Sequence, residues 1–300
     1  MVQNQMVETN TEGLEQSPGL YAELDEQQVR IFRQGMQRPL LTQHARRDQR
    51  PFIHPILAPD GVGEVTEDGA GGHHDWQHGL FIGLNEVNGV RFWKEEAGVD
   101  GTFHPQPMLV QMIDRSAVAW IVKTEWRSPQ GVPMIAEAQA WSLRDGGTEL
   151  VLDLSWTLTG LTDLVFGQYA YGGLYLRSPF RPDSGVLVLN SEGERGLKID
   201  GKSARWAAVQ QPIPGREECR ERICTIVMLD HPANPGHPVP WRTDRHAGLA
   251  PSRCIAGAWR LGRDESTLSR YRLLIFCGEA DRERIDAAWG VFAAGFRIKE

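Results

Sequence analysis

The chain has 300 residues, 41% of them hydrophobic, and a formal net charge of −7. That is enough apolar material for one large core or two smaller ones, and the acidic balance gives no basic footprint for nucleic acid or for an anionic membrane surface. No apolar run approaches the ~20 residues that span a bilayer, and the opening residues lack the charged-then-apolar layout of a secretory signal. The expectation is a soluble, cytoplasmic protein. Its four cysteines, Cys219, Cys224, Cys254 and Cys277, contain no C-x-x-C pair and read as reduced, buried, small hydrophobic residues.

Residues 1–18 are rich in Gln, Glu, Asn and Thr and too polar to order themselves, which predicts a disordered tail followed by a single domain over residues 19–300. The run from His73 to Trp93, HHDWQHGLFIGLNEVNGVRFW, then concentrates three of the nine histidines, two tryptophans, Asn85, Glu86 and Asn88. His74 and His78 are four apart, a spacing that on a helix would put both imidazoles on one face for a metal. Gly71-Gly72 before them and Gly79 after them favour a loop instead, and binding residues often sit on loops held by a rigid scaffold. Three readings stay open. The pair binds a divalent metal whose third ligand is not visible in the sequence, or it transfers protons near neutral pH, or it bonds backbone within a tight loop. Trp76, between them, offers the apolar face on which a pyranose stacks, with Asn85 and Asn88 as partners for hydroxyls.

From Ala117 to Leu158 the apolar period is two, punctuated at Ser128–Gly131 and Arg144–Gly147, which predicts a three-stranded meander. With two-residue loops at Pro129-Gln130 and Asp145-Gly146, one face holds Val118, Trp120, Val122, Ile135, Glu137, Gln139, Trp141, Leu150, Leu152, Leu154 and Trp156. Glu137 then lies among tryptophan and leucine side chains, where desolvation raises its pKa and makes it a candidate base. A one-residue slip would send it to solvent. YGGLYLRSPF (Tyr171–Phe180) follows, with glycines for unusual backbone angles or close approach and Arg177 as a planar fork for oxyanions or vicinal hydroxyls, or as a structural partner of an acidic neighbour. VLVLN, CTIVMLD and RYRLLIFCG read as further strands. The four prolines of DHPANPGHPVPW (Asp230–Trp241) predict a rigid loop presenting His231, Asn234, His237 and Trp241, or a plain stiffened connection. Only Asp281–Phe296 has helical spacing, with Asp281 as cap. Many turn-separated strands indicate an all-β sandwich.

Four segments carry a resemblance: RPFIHPILAPDG (Arg50–Gly61), which contributes His54, HDWQHGLFIGLNEVNGVRFW (His74–Trp93), YGGLYLR (Tyr171–Arg177) and HPANPGHPVPW (His231–Trp241). In order and spacing the chain resembles the family DUF6807, often labelled PmoA-like or methane oxygenase PmoA. The resemblance implies a large antiparallel β-sandwich of the galactose-mutarotase-like supersandwich kind, a fold common among proteins that bind or transform carbohydrates. The oxygenase label fails a physical test, because a membrane methane monooxygenase subunit needs spanning segments.

The leading expectation is an enzyme acting on a sugar or keto-sugar by His/Glu general acid-base chemistry, as an epimerase, lyase or hydrolase. His78, His74, Glu137 and His231 are the candidates for catalysis. Trp76, Asn85, Asn88, Arg177, Tyr171, Asn234, His237, Trp241 and His54 are those for substrate binding, and His74 and His78 those for a divalent metal. The alternative is a non-catalytic carbohydrate-binding sandwich using the same groups. An exposed sheet edge would let two subunits pair as a homodimer.

Overall fold

The structure is a computed structural model, and it describes residues 19–69, 74–181 and 185–295. The tail expected over residues 1–18, and His73, lie outside the described residues. Among the described residues the strands form two antiparallel sheets, of 11 and 9 strands. The first runs through Leu20–Leu24, Gln28–Arg33, Leu41–His44, Phe52–Ile56, Leu80–Val87, Gly173–Leu176, Leu249–Pro251 and Trp241–Thr243. The second runs through Leu187–Asn190, Trp206–Pro212, Ile223–Asp230, Ser266–Cys277, Glu149–Gly160, Pro133–Asp145, Ala117–Arg127 and Thr102–Pro105.

The expected meander is present as Ala117–Arg127, Pro133–Asp145 and Glu149–Gly160. Its connections are longer than two residues, so Trp126 faces Ile135 rather than Pro133, and Arg144 faces Val151 rather than Gly147. Both displacements are even, and a side chain changes face only on an odd slip. All eleven residues assigned to the inner face are accordingly buried. The longer turns close on their own side chains: the Ser128 hydroxyl accepts from the amides of Gln130 and Val132, and the Asp145 carboxylate accepts from that of Gly147.

The core lies between the sheets. Ile53, Leu80, Ile82, Leu174, Leu176 and Leu249 of the first sheet meet Trp120, Val122, Leu152, Leu154, Ile226 and Leu273 of the second. The outer face of the second sheet is covered by the helix Arg282–Ala294, capped by the Asp281 carboxylate, which accepts from the amides of Glu283 and Arg284. Its Ile285 and Phe292 pack on Trp206, Val227, Leu229 and Phe276. No helix among the described residues is long and apolar enough to cross a membrane. All four cysteines are free; Cys224 and Cys254 are buried, whereas Cys219 and Cys277 are partly exposed.

Polar side chains tie the sheets together, Arg33 to Asp145 at the edge and Gln43 to Trp120 in the interior. Gln43, fully buried, accepts from the Trp120 indole at 3.1 Å and donates to the carbonyls of His44 and Phe52 at 2.9 and 3.0 Å. Replacement by leucine strands an indole N–H and removes the donor shared by two carbonyls, each lost partner costing about 1–3 kcal/mol. Gln43→Leu is therefore expected to lower the denaturant midpoint by an amount equivalent to about 2 kcal/mol or more, measured by urea unfolding.

Candidate functional site

The outer face of the first sheet is an aromatic row. Strand pairing sets His44 opposite Phe52, Phe52 opposite Phe81, and Phe81 opposite Tyr175, while Ala250 lies opposite Arg242 one strand further on. The neighbours Ile53, Leu80 and Leu176 point into the core, as strand alternation requires. Phe52 stacks on the imidazoles of both His44 and His78, at 4.5 and 4.8 Å between ring centres. Gly173 in this floor has φ +105, and a Cβ there would lie 2.8 Å from the Pro251 carbonyl oxygen, which explains the glycine by close approach.

Arg50 fixes what stands on the row. It is 2% exposed and lies 4.1 Å over the Phe81 ring. One guanidinium nitrogen donates to the Trp93 carbonyl at 2.7 Å and another to the Trp76 carbonyl, with Glu95 at 3.2 Å as counter-charge. The two ends of the His74–Trp93 run are thus clamped to one floor by a planar fork that lysine does not possess.

Between these segments lies a recess of about 100 Å³, walled by Trp76, Trp93, Tyr171 and Tyr175 and edged by His74, Arg242 and Asp244. A more open groove of about 430 Å³ continues from it past His74, Arg242, Asp244 and His246. Tyr171 is 4.7 Å from Trp93, His74 is 5.8 Å from Trp76 and 5.5 Å from His246, and the Lys94 ammonium sits 4.9 Å from the Trp76 ring centre. Burial works to raise the Asp244 carboxyl, but the Tyr175 hydroxyl at 2.7 Å, the amides of Gly248 and His246 and the charge of Arg177 hold it below the usual range. Tyr175 is pushed well above an ordinary phenol by burial and by the Asp244 charge, so it stays a donor. Tyr171 is raised to about 12 by burial and by Tyr169.

A second groove, of about 580 Å³, is lined by His54, Glu64, Glu67, Asp68 and Arg181. At its edge the His78 Nδ1 donates to Asp68 at 2.5 Å, and this bond is the main cause of the lowered Asp68 pKa. His54 Nδ1 meets the Thr66 hydroxyl at 3.0 Å, and His44 Nε2 donates to the His54 carbonyl at 2.7 Å. Burial lowers the pKa of both imidazoles. Among the described residues no three His, Cys, Asp or Glu side chains are grouped to hold a metal ion. The segment from His74 to His78 is irregular, not helical.

The other expected site residues are placed elsewhere. Asn88 pins a loop, donating to the Asp163 carbonyl and accepting from the Val165 amide at 2.9 and 2.7 Å. Asn85 is buried on the strand Leu80–Val87, away from the recess lining. Arg177 is buried, with Glu67 at 3.7 Å. The Pro-rich loop is organised as a connection: the Asp230 carboxylate accepts from Asn234 at 2.8 Å and from His237 at 2.7 Å, His237 stacks on Trp289, and His231 meets Phe292 of the helix. Trp241 is fully buried and donates to the Ala204 carbonyl. Of the expected residues, His74, Trp76 and Tyr171 converge in the recess, and His54 and His78 lie beside the second groove. Not expected were Arg50, Trp93, Tyr175, Arg242, Asp244 and His246. Asp244 carries a readable turn signal, since its Oδ1 accepts from the amides of His246 and Gly248.

The sequence matches the model of DUF6807, described as a family of unknown function, over residues 27–290. The chain belongs to the DUF6807 family. A comparison with curated protein sequences finds no match. Similar solved structures include an α-galactosidase from Lactobacillus brevis, at 12% identity and a TM-score of 0.41 over 91% of this chain and 42% of that one. The GH36 α-galactosidase AgaB from Geobacillus stearothermophilus gives 8% and 0.44, over 87% and 41%. The Synechocystis protein Slr1438 gives 11% and 0.35, over 90% of this chain and all of that one. This DUF6807 chain thus spans about two-fifths of the length of those α-galactosidases. The antiparallel β-sandwich is the architecture the resemblance implied, and the C-terminal helix is the one that the spacing over Asp281–Phe296 predicted.

Glu137 is separated from both grooves. It is 3% exposed in the core, its two oxygens taken by the indole N–H groups of Trp126 at 3.0 Å and Trp156 at 2.8 Å. Burial nevertheless raises its pKa from 4.5 to about 7. The folded state therefore holds a proton that the unfolded chain releases, so this contribution to stability is fully present below pH 4.5, declines as pH rises and is gone above about 7. The loss amounts to about 3 kcal/mol. In Glu137→Gln, urea midpoints measured between pH 4 and 9 are expected to lose this decline; an unchanged pH slope would assign it to other groups.

Proposed function

We propose that this protein is a carbohydrate-active enzyme that binds a sugar ring in the aromatic recess on the outer face of the first sheet. The observation that carries the reading is the convergence of Trp76, Trp93 and Tyr171 with His74, Arg242 and Asp244 around one recess. Aromatic faces take the apolar face of a pyranose, and the polar groups between them have the reach and direction to bind its hydroxyls. The chemistry of each group is distinct. Asp244, held ionised, is a fixed acceptor, and Tyr175, held protonated, is committed as a donor to it. Arg242, already paired with Asp200 at 3.0 and 3.1 Å, presents an oriented fork.

Proton transfer falls to His74. It edges the recess itself, whereas His78, bonded to Asp68, lies beside the second groove. Imidazole is suited to exchange protons near neutral pH. A keto group on the sugar acidifies the adjacent C–H enough for such a base, which accommodates epimerisation or β-elimination; protonation of a leaving oxygen accommodates hydrolysis. Glu137, sealed between two indoles, takes no part.

Calorimetric titration with a panel of mono- and disaccharides and their keto derivatives tests the reading. Trp76→Ala is expected to weaken the binding of the best sugar about tenfold, the worth of one lost stacking surface. His74→Ala is expected to lower turnover of that sugar by about 10²–10⁴ while its affinity stays within a few fold. Sugar binding unchanged in Trp76→Ala would contradict the recess as the site. Binding without turnover in the wild type would leave a non-catalytic carbohydrate-binding sandwich.

A further inference from the structure

A separate cavity lies between the sheets, with the backbone of Gly172-Gly173 as one wall. Its interior is mostly apolar: Leu84 from the first sheet, Trp156 and Leu158 from the second, and Pro251, with Cys254 and Tyr271 beside them, all buried. The rim is polar and partly exposed, made by Arg253, Thr267, Ser269 and the edge of Trp259. The space open to the centre of a water molecule is about 30 Å³.

Arg253 is the telling residue. Its guanidinium lies 4.2 Å over the Trp259 ring, yet it forms no ion pair or hydrogen bond among the described residues. Burial acts against its charge, which lowers its pKa, and no carboxylate lies near enough to oppose that effect. The other ionisable groups lining the cavity, Tyr271 and Cys254, are both held protonated by burial. A cation-bearing mouth on a mostly apolar interior suits a ligand with an anionic head and an apolar tail: the head gains charge-assisted bonds from the planar fork and the tail leaves water. An ammonium would be repelled by Arg253, and a sugar would leave hydroxyls without partners against Leu84, Leu158 and Pro251.

We propose that this cavity is a second ligand site, selective for a small monocarboxylate with a short unbranched apolar tail, whose carboxylate pairs with Arg253 at the rim. The site shares no side chain with the aromatic recess and does not depend on what binds there.

Titration of the full chain with sodium butyrate, 1-butanol and butylammonium chloride, followed by calorimetry, tests it. Butyrate is expected to bind saturably in the millimolar range, butanol about tenfold more weakly, and butylammonium without saturation. Arg253→Met, which keeps an apolar stem against Trp259, is expected to weaken butyrate about tenfold and to leave butanol unchanged; Arg253→Gln is expected to do the same. Trp76→Ala should leave butyrate binding at its wild-type value. Absence of saturable butyrate binding, marking a cavity that holds water alone, would overturn the proposal. So would equal affinity for butyrate and butanol, or butyrate affinity unchanged in both Arg253 variants.

Discussion

The Arg50 guanidinium is buried, and a buried charge is tolerated only when its donors are satisfied and its counter-charge is near. The carbonyls of Trp76 and Trp93 and the carboxylate of Glu95 meet that requirement. In doing so they bring the loop that follows Phe52–Ile56 and the bend that follows the short strand Val90–Phe92 onto the same aromatic floor. The side chains of the two tryptophans then stand as facing walls. Every later feature of the site, from the placement of His74 to the closeness of Tyr171, follows from where those two backbones are held.

The sandwich separates scaffold from site by what covers each outer face. A capped helix covers the second sheet with Ile285 and Phe292, and the Pro-rich loop is locked beside it through Asp230. Irregular segments cover the first sheet, and their backbone and side-chain polar groups gather around His44, Phe52, Phe81 and Tyr175. His44, His54, His74, His78 and His246 lie on or around this face, whereas His231 and His237 are held in the Pro-rich loop beside the helix.

The second sheet was legible because its long central strands are buried on one face only: Glu149–Gly160 alternates strictly between buried and half-buried positions. The same parity argument put Glu137 inside even though both turns were misread, since even slips preserve the face. The central strands of the first sheet are short and covered on both sides, so Leu80–Val87 and Gly173–Leu176 show almost unbroken burial and no period of two. His74, Trp76 and Tyr171 were visible by residue type. Asp244 and Arg242 were not, because strand pairing between Gly173–Leu176 and Leu249–Pro251, remote in sequence, is what carries them to the recess. Asn88 and Asn234 were read as ligand groups from their chemistry, and the structure uses that chemistry to tie loops.

The central claim, that Trp76 and Trp93 form the walls of a sugar site, is tested most directly by following the indole ¹H–¹⁵N signals of the ten tryptophans while the best-binding sugar is added. The account predicts saturable shifts of the Trp76 and Trp93 indoles, with those of Trp126 and Trp156 unmoved in the core. Shifts confined to Trp289 or Trp259, with Trp76 and Trp93 silent at saturation, would contradict it.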